Sequence, residues 1–276
     1  MKNIFTVDLE DWCFIPENNP FIKKGKEKEY IENLYRNVRI ILELLESKKI
    51  KATFFVLGKL AENVPEIVKE VKIRGHEIAC HGYQHKNITE MKKDEFKKDL
   101  ELSLNAIFSS CGVIPIGFRA PNFSINKNNI WALNILKEFG FIYDSSIYPV
   151  KYYSGFGRKE ISMSGFVHDS GIVEIPLSCA DLFHFRLPCS GGAYFRFIPF
   201  DIFKFLLRKI NSHNRNFIFY IHPWELLNSL PKNGINSLSK IRKFYNINKI
   251  EKRLNALIEE FEFCSIEEYL KINFNL

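Results

Sequence analysis

Several common sequence signals are scarce in this chain of 276 residues, or are missing from it. Its six cysteines are dispersed without C-x-x-C spacing, which favours buried free thiols over a disulfide framework or a zinc ribbon. No apolar run is long enough to span a bilayer. Proline and glycine are scattered, with no low-complexity stretch and no repeat. A single catalytic domain over residues 1–276 is therefore the simplest organisation, and 46% hydrophobic residues can bury its core.

No signal peptide is recognisable, because the chain begins Met1-Lys2-Asn3 and enters an apolar strand at once. We therefore expect a cytoplasmic protein, with contact at the inner face of the membrane left open. The net charge of +7 includes basic runs at residues 23–26 and 92–93 but no nucleic-acid-binding motif. Such runs are usually solvated, so they give only weak support for anionic lipid or a pyrophosphate-linked sugar as a partner.

Two of the seven histidines, His81 and His85, stand four residues apart just after an apolar segment, residues 76–80. Alone, this spacing fits a surface pair as well as a pair of ligands. The predicted first strand, residues 3–7, runs into Asp8-Leu9-Glu10-Asp11, where crowded carboxylates suggest a bound cation or a shared proton. Two imidazoles and one carboxylate leave open positions on a Zn²⁺-like or Fe²⁺-like ion. This combination indicates metal-assisted hydrolysis.

Two further apolar segments end in residues that could take part in catalysis, Arg119 and His222. Separately, these would be a structural ion pair and a core histidine. Together with the acidic cluster, the arginine could hold a carboxylate ionised, and the histidine could give a proton to a leaving group.

Amphipathic helical patterns alternate with short apolar strands over most of the chain. Apolar residues recur at helical spacing from Ile31 to Leu45, Val64 to Val71 and Phe96 to Ile107, and each pattern precedes a predicted strand. A helix is expected over residues 127–139, ending at Gly140. Reactive residues at strand C-terminal ends suit an α/β barrel with its site at that end. Residues 150–199 break the alternation, and helices are expected again over 200–210 and 238–261.

In motif order, the chain resembles the NodB-homology polysaccharide deacetylases, carbohydrate esterase family 4, over nearly its whole length. The resemblance rests on Thr6–Asp11, Thr53–Phe55, His81–His85, Arg119–Pro121 and Ile221–Pro223. Four further runs look most like a branch associated with exopolysaccharide biosynthesis: Asp8–Trp12, Tyr143–Ser146, Gly191–Arg196 and His222–Glu225. The resemblance implies a distorted (β/α) barrel of seven or eight parallel strands.

The resemblance also implies roles for individual residues. Asp8 would be the general base, held by Arg119, and His222 would protonate the leaving amine. His81 and His85 would bind a divalent metal, Zn²⁺ first, with Fe²⁺, Co²⁺ or Ni²⁺ as alternatives. The family usually has two adjacent aspartates, but Leu9 follows Asp8 here, so the third ligand is Glu10 or, as the competing choice, Asp11.

Some parts of this mechanism stay open at the sequence level. The backbone amide of Phe55 or of Tyr83 is a candidate oxyanion donor, and Asp181 is a candidate acid to tune His222. Candidate substrate-binding residues are Tyr194 and Trp224, because aromatic rings stack on sugars, and Arg196, which ends the run Gly191–Arg196 that contributes to the resemblance. Packing of Trp224 beneath the last strand is an almost equally good interpretation.

The expected substrate is an N-acetylated amino sugar in surface-glycan assembly, with a link to a nucleotide or to a lipid left open. No nucleic-acid partner is expected. A sugar-binding protein without activity is the alternative from another class. A deformylase, an O-acetyl esterase and a cyclic amide hydrolase are alternatives within hydrolysis.

Overall fold

A computed structural model describes residues 1–11, 14–15, 25–157, 159–182, 185–226 and 245–276. The strands in this part of the chain are β1 (Asn3–Leu9), β2 (Thr53–Val56), β3 (Glu77–Cys80), β4 (Gly117–Phe118), β5 (Tyr143–Asp144), β6 (Phe166–Val167), β7 (Val173–Glu174), β8 (Cys179–Leu182), β9 (Phe185–Pro188), β10 (Ile218–Ile221) and β11 (Phe263–Cys264). The helices are α1 (Glu27–Ser47), α2 (Gly58–Asn63), α3 (Pro65–Ile73), α4 (Lys93–Cys111), α5 (Trp131–Glu138), α6 (Lys151–Ser154), α7 (Gly192–Phe197), α8 (Phe200–Ser212), α9 (Ile250–Glu260) and α10 (Ile266–Asn273).

One curled sheet organises the molecule. Its strand order is β10-β1-β2-β3-β4-β5-β7-β6, and β11 also pairs with β1. Every pairing in it is parallel except that of β6 with β7. Hydrogen bonds from the amide of Ile218 to Ser178 Oγ (2.7 Å) and from the amide of Tyr220 to Ser190 O (2.8 Å) connect β10 to the segments flanking the β8–β9 hairpin. The predicted fold, a distorted α/β barrel of seven or eight parallel strands, is confirmed.

Two apolar cores fill the fold, one on each face of the sheet. The outer core lies between sheet and helices and contains the predicted apolar faces of α1, α3 and α4, including Val38, Val71 and Leu100. The inner core is enclosed by the curled sheet and contains Phe55, Tyr143 and Tyr148. Because both faces of the parallel strands are covered, these strands are buried along their whole length rather than alternating between buried and exposed residues.

The ends of several helices follow from local sequence. α3 begins with Pro65, whose missing amide hydrogen costs nothing at the first helical position. α4 ends where Gly112 adopts a left-handed conformation with φ 68°. No helix among the described residues is both long enough and apolar enough to cross a membrane.

Some predicted boundaries were wrong. The helix expected over 127–139 begins only at Trp131, because residues 126–129 form a turn in which the Asn129 side chain accepts a hydrogen bond from the amide of Asn126 (2.6 Å). The last long helix begins at Ile250 rather than at 238, and residues 238–244 lie outside the described residues. The segment 150–199 contains two short helices, α6 and α7, besides its strands. The helix predicted over 200–210 is confirmed as α8.

Candidate active site

The predicted site residues meet at one edge of the sheet. Asp8 lies near the end of β1, and Glu10 is the first residue after it. His81, Arg119 and His222 directly follow β3, β4 and β10, respectively. These strands are parallel and adjacent, so their C-terminal ends open onto the same edge. A cavity of about 420 Å³ lies there, lined by Asp8, Glu10, Ile15, His81, His85, Asn122, Phe123, Tyr153, Gly192, Ala193, Tyr194, Arg196, Tyr220, His222 and Trp224.

One carboxylate and two imidazoles converge in this cavity. Glu10 Oε2 lies 2.5 Å from His85 Nε2 and 3.5 Å from His81 Nε2. All three side chains are nearly excluded from solvent. Their nearest ligand atoms lie within 4.8 Å of one another, which is a spacing that a single metal ion can bridge. Asp11 is also buried but does not belong to this group.

The proton on His81 shows why a cation suits this group. His81 Nδ1 lies 2.8 Å from the carbonyl oxygen of Arg119, which only accepts hydrogen bonds, so Nδ1 carries the proton. In the neutral ring, Nε2 then presents a lone pair towards the Glu10 carboxylate. Two electron-rich atoms facing each other in a buried site call for a cation between them, and a ligating imidazole is usually oriented through its other nitrogen in this way. The residues present therefore fit a divalent metal.

The pKa values of Glu10 and His85 also indicate that this group requires a positive charge. Burial alone would raise the pKa of Glu10, but His85 and His81 outweigh it and hold the pKa well below its ordinary value. Burial alone would lower the pKa of His85, but the Glu10 carboxylate outweighs it and raises the pKa. The Glu10 carboxylate thus stays ionised and needs a positive partner. Either a protonated His85 or a metal ion can supply that charge.

The loop from His81 to His85 is held from outside by helix α4. Gly82 and His85 both adopt left-handed conformations, with φ 73° and φ 58°, and a non-glycine residue in that region is strained. Asp99 Oδ2 accepts a hydrogen bond from the amide of Tyr83 (2.9 Å), and the next amide, that of Gln84, lies close enough to lower the pKa of the same carboxylate. Burial raises the pKa of Asp99, whereas these two amides lower it.

Neither candidate oxyanion amide fits that role. The Tyr83 amide is already bonded to Asp99. Phe55 lies inside β2, where it is paired with Asp8 of β1 and Ala79 of β3. Its ring instead packs against the guanidinium of Arg119, with 4.0 Å between the Arg119 Cζ and the ring centroid.

Arg119 and Asp8 form a fully desolvated ion pair. Arg119 is 0% exposed, and its Nη1 donates to Asp8 Oδ1 (2.7 Å) and to Thr6 Oγ1 (2.8 Å). Its Nε and Nη2 donate to the carbonyl oxygen and the hydroxyl of Ser145, at 3.1 Å and 3.0 Å. This network fixes the guanidinium, which in turn fixes one carboxylate oxygen of Asp8 and leaves the other directed towards the cavity and His222.

His222 has a carboxylate partner that was not assigned from the sequence. Glu225 Oε1 lies 2.7 Å from His222 Nδ1 and accepts a hydrogen bond from the His222 amide (3.1 Å). Glu225 also forms a very close ion pair with Arg196. His222 Nε2 faces the opposite way, 3.5 Å from Glu10 Oε1 and 3.9 Å from Asp8 Oδ2. Burial lowers the pKa of His222, although the Glu10 and Asp8 carboxylates raise it.

Asp181, the acid considered for this position, lies elsewhere. It belongs to the β8–β9 hairpin, and its Oδ1 is 4.0 Å from Arg186 Nε. The sequence signal for Glu225 is the His-x-x-Glu spacing. Pro223–Leu226 form one 3₁₀ turn, which brings the Glu225 side chain back to His222.

The candidate substrate-binding residues all line the cavity. Trp224 stacks on His222, with ring centroids 5.0 Å apart and an interplanar angle of 23°. Arg196 is buried and bound to Glu225, so its guanidinium primarily supports the acid beside His222. Tyr194 Oη lies 2.7 Å from Tyr152 Oη and 3.1 Å from Tyr153 Oη.

Comparison with known proteins supports the resemblance. Residues 32–143 match the polysaccharide deacetylase family, and residues 145–271 match a domain of unknown function, DUF3473. The peptidoglycan-N-acetylglucosamine deacetylase of Bacillus cereus is 36% identical over 93 residues, which is 33% of this chain and 34% of that protein. The chain thus spans about a third of the length of this curated relative.

Two solved structures share the fold. A protein from Mycobacterium smegmatis described as a candidate polysaccharide deacetylase superimposes with a TM-score of 0.65 at 20% identity, covering 98% of this chain and 90% of that one. Puue allantoinase superimposes with a TM-score of 0.63 at 13% identity, with the same coverage of 98% and 90%. At these identities the likeness concerns the fold alone.

The two matched segments contribute strands to the same sheet, and the site draws on both of them. His81 and Arg119 lie in the first segment, and His222 and Glu225 lie in the second. The chain therefore contains a polysaccharide deacetylase domain over residues 32–143, followed by a DUF3473 domain over residues 145–271.

Proposed function

We propose that this chain, as one catalytic domain over residues 1–276, is a metal-dependent hydrolase that removes the N-acetyl group from an amino sugar. One observation carries the proposal: a single cavity contains the Glu10, His81 and His85 group, which suits a metal ion, together with two residues that can transfer protons, Asp8 and His222. Binding of a sugar alone requires neither a buried Asp8–Arg119 pair nor a histidine backed by a carboxylate. The set of functional groups is therefore better suited to hydrolysis than to recognition.

In this proposal, Glu10, His81 and His85 hold the metal, and Asp11 does not. Zn²⁺ suits this mixed nitrogen and oxygen donor set, and Fe²⁺, Co²⁺ and Ni²⁺ are also compatible with it. A bound divalent ion would lower the pKa of a water molecule and polarise the acetamide carbonyl.

Asp8 acts as the general base. Arg119 holds one oxygen of its carboxylate, which leaves Oδ2 facing the cavity to take a proton from the attacking water. The charged guanidinium also gives the buried Asp8 carboxylate its ionic partner. Asp8→Asn should therefore retain the metal and lose activity by on the order of 10²-fold to 10⁴-fold.

His222 acts as the general acid. An amine is a poor leaving group until it is protonated, so amide cleavage needs a proton donor opposite the base. His222 Nε2 points into the cavity, while Glu225 at Nδ1 can stabilise the imidazolium once Nε2 has gained a proton. Burial disfavours the imidazolium form of His222, and the Glu225 carboxylate offsets part of that effect.

For the substrate, we propose an N-acetylated sugar within a glycan or glycan precursor of surface-polysaccharide biosynthesis. The named activity of the Bacillus cereus relative, deacetylation of peptidoglycan N-acetylglucosamine, supports the N-acetyl sugar as the substrate class. A nucleotide-linked or lipid-linked intermediate handled in the cytoplasm fits the sequence resemblance to the exopolysaccharide branch.

The test is a mass-spectrometric screen of metal-loaded protein against N-acetylated oligosaccharides, acetamido-sugar nucleotides and lipid-linked glycans. We expect the loss of one acetyl group with release of an equal amount of acetate, and no reaction with Asp8→Asn. Tight sugar binding with no acetate release by the wild type would instead support an inactive sugar-binding protein. Release of formate, of an alcohol or of a ring-opened product would reassign the bond that is cleaved.

A further inference from the structure

A group of three tyrosines forms one side of the cavity and plays no part in the proposed chemistry. Tyr152 and Tyr153 come from α6, and Tyr194 comes from α7. Their hydroxyl groups are joined, since Tyr194 Oη lies 2.7 Å from Tyr152 Oη and 3.1 Å from Tyr153 Oη. We refer to these three residues as the tyrosine wall.

The tyrosine wall runs from the cavity to the protein surface. Tyr153 and Tyr194 line the cavity, whereas Tyr152 is 68% exposed. The ring of Tyr153 stacks on buried Tyr148, with centroids 5.0 Å apart and an interplanar angle of 16°. The Tyr152 and Tyr153 ring centroids are 4.5 Å apart. The exposed Tyr152 ring is thus held by its hydroxyl group and by a tilted ring contact with Tyr153, which lies next to the site.

The hydroxyl groups of the wall retain hydrogen-bonding capacity. Each phenol donates one hydrogen, but two contacts join the three groups, so one O–H is left to donate elsewhere whatever their order. Burial raises the pKa of both Tyr194 and Tyr152, which keeps these phenols neutral. A neutral surface of aromatic faces with a spare donor matches a sugar ring, which has apolar C–H faces and hydroxyl edges.

We propose that the tyrosine wall is a second sugar subsite, which binds the sugar adjoining the one that is deacetylated. The substrate is then an oligosaccharide or a longer glycan that leaves the cavity past Tyr152, and a monosaccharide is handled poorly. This inference rests on the proposed function for the identity of the first sugar. Because the rings are already fixed in place, little conformational entropy is lost when the second sugar binds.

The kinetic test compares fully N-acetylated chito-oligosaccharides, from the monosaccharide to the tetrasaccharide, as substrates of the metal-loaded protein. We expect kcat/KM to rise with length for the wild type. Tyr152→Ala should reduce the tetrasaccharide-to-monosaccharide ratio by about 10-fold, as loss of one stacking ring predicts. Tyr152→Phe, which keeps the ring, should lose less. Phe108→Ala removes a similarly exposed ring from α4 as the matched control and should keep the wild-type ratio.

A binding test separates this inference from the proposed function. In the Asp8→Asn background, saturation-transfer NMR should show contact between protein and the second sugar of the tetrasaccharide, and Tyr152→Ala should remove that contact. If the wild type has no deacetylase activity but this contact is found, only the proposed function fails. If affinity and kcat/KM do not depend on chain length, or if Tyr152→Ala lowers them equally for all lengths, the second subsite is refuted.

Discussion

Replacing Asp99 tests whether a residue remote from the chemistry positions the metal ligands. Asp99 touches none of the proposed ligand atoms, yet its carboxylate accepts a hydrogen bond from the amide of Tyr83, which lies between His81 and His85. The loop has two left-handed residues, so it needs such restraint to keep both imidazoles directed at Glu10. We expect Asp99→Ala to weaken metal binding while the barrel stays folded.

The expected size follows from the hydrogen bond between the Tyr83 amide and Asp99. A hydrogen bond to a charged group contributes roughly 1.5–3 kcal/mol. Asp99 is only partly buried, and water can replace part of that contribution once the side chain is removed. A loss of about 2 kcal/mol in the stability of the binding-competent loop corresponds to a roughly 30-fold weaker metal affinity. Substitutions of residues that orient metal ligands typically cost 10-fold to 100-fold.

The assay is competitive titration of Zn²⁺ with a chelating indicator, accompanied by thermal unfolding of the metal-free protein. Glu101→Ala, which removes an exposed carboxylate from the same helix, is the matched control and should retain wild-type affinity. Asp99→Asn, which keeps one acceptor oxygen, should fall between the two. Wild-type metal affinity in a folded Asp99→Ala protein would refute the positioning role.

Three further predictions use other buried groups. His222→Ala should cripple amide cleavage but scarcely affect an activated ester, whose leaving group needs no proton, whereas Asp8→Asn should slow both reactions; equal losses in the His222 variant would exclude it as the general acid. Burial, with the charges of two nearby basic residues, lowers the pKa of His76 to about 4 from 6.5. Between those pH values only the unfolded chain takes up the proton, so acidification from pH 6.5 to 4 should remove up to roughly 3 kcal/mol of unfolding free energy through this residue, and urea titrations of His76→Gln should lack that part of the loss. Burial and the neighbouring Asp144 raise the pKa of Glu174 well above its ordinary value, which favours a protonated Glu174 that shares its proton with Asp144. Glu174→Gln should therefore cost less than about 1 kcal/mol, and Glu174→Ala about 3 kcal/mol, by chemical denaturation; a larger loss for Gln than for Ala would contradict the shared proton.

The parts of the site that follow strands were predictable because their geometry is local. The two-residue period of a strand places Asp8 and Glu10 on the same side, and both line the cavity. Parallel strands that each feed a helix also put Arg119 and His222 at the same edge without any knowledge of loop structure. The turn that ends β1 determines which of Glu10 and Asp11 lies beside His81 and His85. The sequence pattern does not specify that turn.

Other parts depend on tertiary contacts that carry little sequence signal. Asp99 lies on α4, 14 positions beyond His85, and an acidic residue on a helix is ordinarily a solvated surface residue. Arg196 was a candidate substrate-binding residue, but the buried Glu225 beside it was needed to show where its guanidinium is directed. α9 begins only at Ile250, after a turn and a 3₁₀ helix over residues 245–249, although apolar residues recur before it at a spacing that also fits a helix.

Metal content tests the central claim of the account most directly. Wild-type protein and the variants Glu10→Gln and Asp11→Asn would be loaded with Zn²⁺, freed of excess ion and analysed by inductively coupled plasma mass spectrometry. Glu10 lies with His81 and His85 and Asp11 does not, so we expect one ion per chain in the wild type and in Asp11→Asn, and little in Glu10→Gln. Full metal retention by Glu10→Gln, or loss of the metal in Asp11→Asn alone, would contradict the proposed metal centre.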